Sequence, residues 1–218
     1  MIAVQRIDPP KILERKAAEW TEKLLSAATK KQRDNAKSKY RHKDIKQALR
    51  VMCHDKCAYW MTHVDHGDIE HYRPKSKFPE LTFTWSNLLL ACGVCNGTKY
   101  KGDKFPEEEL DGPLVHPCED EPSQHFSFHY EPLVGACIYG ITPRGETTER
   151  ILGLNRHELR EYRSGQIAKL YTLAQLADSD PKAAALFQEA TEDSAEYAAF
   201  ARAVKKLLRK SEKNCTVS

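Results

Sequence analysis

The sequence predicts an α+β protein that is mainly helical, with a small mixed centre flanked by N- and C-terminal helices. Three observations carry this reading. Apolar residues recur at three- and four-residue steps in the first fifty residues and again after Gly145, the spacing of a buried helix face. Between them, residues 57–106 hold short apolar runs punctuated by Gly, Pro and Asn, as short strands and turns require. Pro106 to Arg144 is rich in Pro and Gly, which predicts irregular structure wrapped around that centre.

Taken in order, Pro10 to Leu25 reads as an amphipathic helix on Ile12, Ala17, Trp20, Leu24 and Leu25, with Pro9-Pro10 marking its start. Lys30 to Lys43, KKQRDNAKSKYRHK, reads as a basic connector. The next helix runs from Asp44 to about Asp55, with Ile45, Ala48, Leu49 and Met52 on one face, and delivers Cys53 and Cys57 to the centre. There the expected order is a strand at Asp68–Tyr72, a loop through Pro79, a strand at Asn87–Ala91, and a helix from Cys92–Cys95 that fades by Gly102. FSFHY and ACIYGIT are short β-like pieces in the wrap that follows. Thr147 to Leu152 is a short helix. Asn155 is expected to cap the next one, which continues to about Ala177, with Glu158 at near capping-box spacing. Asp180-Pro181 starts another, and Ser194 to Lys210 a final basic one. The organisation expected is 1–52 helical, 53–110 central core, 111–146 irregular wrap and 147–218 helical.

At 218 residues and 40% hydrophobic the chain can bury a sizeable core, while 30% charged residues and a mean hydropathy of -0.64 demand a polar surface. No run approaches the roughly 18 apolar residues of a membrane span. MIAVQRIDPPK lacks a secretory h-region, so a cytoplasmic location is expected. Seven cysteines without an export signal favour thiols or metal ligands over disulfides. The net charge of +3 says less than its distribution, basic over the first fifty residues and acidic from Glu107 to Glu121.

The chemistry concentrates in CAYWMTHVDHGDIEHYRPKSKFPELTFTWSNLLLACGVCNGTKYKGDKFP, residues 57–106. Thiolates suit a structural zinc, a carboxylate and an amide suit a hard divalent cation, and a histidine beside that cation can activate water. DIEHYRPKS, WSNLLLACGVCNGTK and FP together resemble the HNH (ββα-metal) endonucleases. More narrowly they resemble the nuclease subunit of Septu anti-phage systems and its retron-associated relatives, a resemblance that continues to TERILGLNRHELREYR.

That resemblance implies a ββα-metal nuclease core with a zinc knuckle over 53–110. His71 would be the general base and Asn87 the residue that orients it. Glu70 and Asn96 would be ligands of Mg²⁺ or Mn²⁺. Arg73, Lys75 and Lys99, with Lys77 and Lys101, would hold the nucleic-acid backbone. The knuckle departs from the family pattern: Cys92-Gly-Val-Cys95 is intact, but Trp60 stands where Cys57 should have its partner. Cys53, one helical turn before Cys57, is the expected fourth zinc ligand. His63 and His54 stay open as alternatives, as does a site without zinc. Cys118 and Cys137 read as plain buried thiols.

The function expected is a metal-dependent endonuclease acting on nucleic acid, DNA favoured and RNA open, as the effector of an anti-phage system. The resemblance implies a PtuA-type ABC/SMC-like ATPase as partner, and no G-x-x-x-x-G-K-[ST] occurs in this chain, so ATP control is expected from another subunit. The basic terminal helices are expected to dock it. A toxin-like nuclease of tRNA or other RNA, and a non-catalytic zinc scaffold, are the alternatives.

Overall fold

The computed structural model describes residues 1–106, 113–131 and 134–215, the last nine as backbone. Part of the acidic run (107–112) and the side chains at the end of the final basic helix fall outside this description. It is a mixed helix-and-sheet structure with two small antiparallel sheets, β1–β2 and β3–β4.

Helix α1 (Lys11–Leu25) enters from extended Pro10 and buries Leu13 and Leu24. The stretch expected as a connector is partly helical, as α2 (Lys30–Lys37). Thr29 Oγ1 accepts from the Gln32 N–H while Gln32 Oε1 accepts from the Thr29 N–H, a capping box that starts a helix in an otherwise polar run. A 3₁₀ turn, Ser38–Arg41, leads to α3 (Lys43–Met52). That helix ends earlier than expected, because His54 and Asp55 take left-handed φ of 51° and 55° and turn the chain aside.

Strands β1 (Asp68–His71) and β2 (Leu88–Ala91) pair antiparallel, Glu70 opposite Leu89 and His71 opposite Leu88. Leu88, Leu89 and Leu90 are all fully buried, so β2 is covered on both faces. The helix expected to reach Gly102 is a single turn, α4 (Gly93–Asn96). The chain then doubles back, and the Lys101 N–H donates to the Cys95 carbonyl. An N-terminal strap holds the hairpin from outside. Arg6 donates to the carbonyls of Trp85, Ser86 and Leu88, and Trp85 Nε1 donates to the Ile7 carbonyl.

The wrap expected to be irregular contains a hairpin, β3 (Phe126–Glu131) and β4 (Gly135–Gly140), with six residue pairs in register. It packs on α5 (Pro143–Leu152), α6 (His157–Leu176) and α8 (Ala198–Cys215), while α7 (Pro181–Glu189) packs on α6. Thr142 caps α5 four residues ahead of the expected start, with Pro143 in its first turn. Asn155 does not cap α6, whose N-cap is Arg156. Its amide joins β4 instead: Oδ1 accepts from the Ile138 N–H, and Nδ2 donates to the Ile138 carbonyl and to Glu149. One continuous apolar cluster runs from Leu13 through the β1–β2 hairpin to Phe200 and Val204. No helix among the described residues is long and apolar enough to cross a membrane.

Arg163 is the buried polar joint of the C-terminal part. It is fully inaccessible and donates to the carbonyls of Ala136 and Leu154 and to Asn155 Oδ1, while its guanidinium lies over the Phe200 ring. Removing it takes that donor from the Ala136 and Leu154 carbonyls and leaves Asn155 Oδ1 with the Ile138 N–H alone. Arg163→Met is therefore expected to lower unfolding stability by about 3 kcal/mol, read as a reduced urea midpoint at unchanged slope.

Candidate active site and metal centre

His71 closes β1 and is 97% shielded from solvent, at a relative exposure of 3%. Its Nε2 lies 3.0 Å from the Thr82 carbonyl oxygen, which can only accept, so Nε2 carries the ring proton. Nδ1 then has a free lone pair, and it has no hydrogen-bond partner. The loop that brings Thr82 into place is held by Asn87. Asn87 Oδ1 accepts from the Arg73 N–H at 2.7 Å, and Nδ2 donates to the carbonyls of Arg73 and Leu81 at 3.1 Å. Burial pushes the His71 imidazole down to about 3, helped by Lys75, so the ring is neutral across the physiological range.

Glu70 is buried beside it. Lys101 Nζ lies 2.5 Å from Glu70 Oε1 and 2.8 Å from the His71 carbonyl oxygen, with the ammonium itself fully buried. Tyr59 also donates to Oε1, at 3.5 Å. Burial raises the Glu70 carboxyl and the Lys101 ammonium opposes that rise. Glu70 Oε2 and the Asn96 amide accept no hydrogen bond among the described residues, which leaves two hard oxygen donors of the kind Mg²⁺ or Mn²⁺ takes. Asn96 faces a cleft of about 310 Å³ lined also by Tyr40, Arg41, Lys46, Asp68 and Ile69.

The basic residues expected around the site divide. Lys75 lies 5.1 Å over the Tyr40 ring, and the Tyr40 ring stands edge-on to His71 at 4.7 Å. Arg73 stacks on Phe105 and Phe78 and lines a different hollow with Asn87, Asp120 and Arg144. Lys77 and Lys99 are exposed, Lys99 over Tyr100. Lys101 is buried in its ion pair and is not on a phosphate-facing surface, contrary to expectation. Tyr40, Arg41 and Lys46 escaped the motif reading. For Tyr40 and Arg41 the one signal is an aromatic set inside the basic run KSKYRHK; Lys46 has none.

The sulfurs of Cys57, Cys92 and Cys95 lie within 4.8 Å of one another. This three-thiol group could bind a metal such as zinc, and its sulfur chemistry fits. Cys53 is not in it. The helix has ended at Met52, so the one-turn relation assumed for Cys53 and Cys57 does not hold, and the Cys53 thiol lines an apolar cavity with Val4, Met52 and Ala58. His54 and His63 are not in the group either. What stands beside the sulfurs is Arg156. Its Nη2 is 3.7 Å from Cys95 Sγ, and its guanidinium lies 4.6 Å from the Tyr100 ring and 5.8 Å from the Trp60 ring. Hydrogen bonds from Cys57 and Cys95 pull the Cys92 thiol down, while burial pushes the Cys57 thiol up.

Over 161 residues the chain is 32% identical to Septu protein PtuB of Bacillus thuringiensis, an alignment covering 72% of this chain and 55% of that protein. It is 29% identical over 161 residues to Septu protein PtuB of Bacillus mycoides (strain KBAB4), covering 60% of this chain and 52% of that protein. The chain thus spans about half the length of the curated relatives it matches. No protein-family model matches it.

The cluster geometry yields a test of the ligand set. Purified protein should carry about one zinc, retained in Cys53→Ser and His63→Ala and lost in Cys92→Ser. Elemental analysis of the three variants checks it, and zinc lost from Cys53→Ser would return that residue to the site.

Proposed function

We propose that this chain is a metal-dependent endonuclease of the HNH type that hydrolyses nucleic-acid phosphodiesters as a component of a Septu-type defence system. One observation carries the reading: a buried histidine whose ring proton is committed to a backbone carbonyl, leaving an unpartnered basic nitrogen beside a cationic cleft. The chain order supports a ββα reading: Glu70 and His71 on β1, Asn87 in the turn that leads into β2, and Asn96 on α4. The similarity to the Septu PtuB proteins supports the system assignment.

In this reading His71 Nδ1 accepts a proton from water as the water oxygen attacks phosphorus. The Thr82 carbonyl holds the ring in the required tautomer and favours the imidazolium that forms. Asn87 keeps that carbonyl in reach through the loop it staples. Glu70 and Asn96 would hold Mg²⁺ or Mn²⁺, which when bound stabilises the charge developing on the phosphate. Lys101 anchors one oxygen of Glu70 and leaves the other to the metal, the arrangement by which outer partners orient a ligating carboxylate. Burial depresses the His71 imidazole most, with Lys75, Lys101 and Arg41 adding to it, and a phosphodiester bound beside those cations would offset their part of the shift.

Cys57, Cys92 and Cys95 would hold a structural zinc with its fourth position left to a non-protein ligand next to Arg156. Control by ATP would come from the PtuA-type partner, docked on the C-terminal helices. The scaffold reading draws on the Glu70–Lys101 pair, which gives Glu70 a purely structural role; catalysis separates the two.

Plasmid DNA and total RNA incubated with the protein, with its co-expressed partner present and absent, should be cut in Mg²⁺ and spared in EDTA. His71→Ala is expected to reduce cleavage by about 10²- to 10⁴-fold with an unchanged circular dichroism spectrum. Near-normal turnover of that variant would rule out the assigned base. Glu70→Ala and Asn96→Ala should weaken Mn²⁺ binding measured by calorimetry, and unchanged affinity in both would remove them as ligands.

A further inference from the structure

Most buried or half-buried cations of this protein are engaged by its own carbonyls, carboxylates or rings. Arg6 holds three carbonyls, Lys56 those of Asp193 and Ala195, Arg144 pairs with Asp120, and Lys101 pairs with Glu70. Arg41, Lys46 and Lys75 differ. Among the described residues none of the three side chains donates a hydrogen bond or has an ion-pair partner; Arg41 and Lys46 line one cleft with Tyr40, and Lys75 lies over that same Tyr40 ring. Asn96 lines the cleft too, and Asp68 is the one carboxylate on its lining.

Tyr40 is what gathers them. Its ring is 6% exposed and stands edge-on to His71 at 4.7 Å, so its position relative to the histidine is fixed by packing. The Arg41 guanidinium lies 4.9 Å and the Lys75 ammonium 5.1 Å from the same ring centroid, where the negative face of the π system favours a cation. Like charges held about one ring repel each other, a cost that an incoming anion offsets. Arg41 comes from the turn after α2 and Lys75 from the loop after β1, so two separate segments supply the site. The turn Ser38–Arg41 is itself positioned by the helix ends on either side of it, α2 and α3.

We propose that the basic segment running from Tyr40 into the first turn of α3 forms one wall of the Tyr40–Asn96 cleft beside His71, where Arg41 and Lys46, with Lys75 over the same Tyr40 ring, hold the phosphates of a nucleic-acid strand next to the bond to be cut. This rests on the nuclease reading and assigns the strand contact to a segment outside the β1–β2–α4 unit. The anion recognised is a phosphodiester backbone. Guanidinium and ammonium groups bind it without reading bases, so the site takes strands irrespective of sequence.

The test is binding in a His71→Ala background, where the probe is not cut. Fluorescein-labelled duplex DNA of about 20 base pairs and single-stranded RNA of the same length are titrated by anisotropy over a series of salt concentrations. Arg41→Ala, Lys46→Ala and Lys75→Ala should each weaken binding of the preferred probe roughly fivefold and lower the slope of log K against log salt by about 1, as loss of one phosphate contact does. Arg41→Lys should keep the slope, and Lys182→Ala, far along the chain on α7, should change neither quantity. Thermal melts of each variant separate lost contacts from lost fold. A triple Arg41/Lys46/Lys75 alanine variant that melts normally and keeps both affinity and slope would overturn the proposal. The nuclease reading would still stand in that case if His71→Ala abolishes cleavage by the otherwise native chain. Weakening of the RNA arm alone would support the wall and identify RNA as the strand it holds; weakening of the duplex arm alone would do the same for DNA.

Discussion

An ammonium and a carboxylate removed from water must meet, because either one left alone in the interior would lose several kcal/mol of solvation without return. At the centre of this protein that requirement joins Lys101, in the returning chain after α4, to Glu70 on β1. The same ammonium takes the His71 carbonyl, so the strand that carries the histidine is held from behind at two successive residues. The pair adds little net stability, since desolvation offsets most of its attraction. It selects a geometry. With one end of the loop fixed by Lys101 and the other by Asn87, the Thr82 carbonyl has a defined place against the imidazole, and the tautomer of His71 follows.

How far the sequence could be read depended on whether a feature is local. The helix from Lys11, the two central strands and the Asp180 cap all rest on period, propensity and capping within a few residues, and all were legible. So was the meeting of Cys57, Cys92 and Cys95, through motif spacing. The failures are of two kinds. Helix α2 was overlooked because a T-x-x-Q box outweighed a polar composition. The strands of the β3–β4 hairpin are legible as FSFHY and ACIYGIT, but their pairing is not, because it is secured from elsewhere, by Asn155 bonding to β4 and by the helices that cover it. Cys53 illustrates the sharper limit. Its expected role required one more helical turn, and two residues in left-handed conformation removed that turn. Lys101 carried no local signal at all: nothing in GTKYKGDK distinguishes the buried lysine from its exposed neighbour Lys99.

Arg156 links the C-terminal part to the central hairpin in a way that depends on Trp60. A guanidinium is planar and stacks, and here Trp60 and Tyr100 supply the rings while Cys95 supplies an acceptor. The same arginine closes the corner between α5 and α6 by donating to the carbonyls of Leu152 and Gly153. The thiol cluster and the C-terminal helices therefore share one side chain, so the chemistry of the sulfurs and the seating of those helices are coupled.

The spacing of that cluster bears on how the protein is handled. Cys92 is the partly covered member of the three, and its sulfur has two more within 4.8 Å. A thiol so placed is the one oxidants reach first, and a neighbouring thiol resolves the product into a disulfide. Once oxidised, the pair has no ligand to offer a soft cation. Air and chelator together thus act as a one-way valve on the centre, while reductant keeps it open to reconstitution.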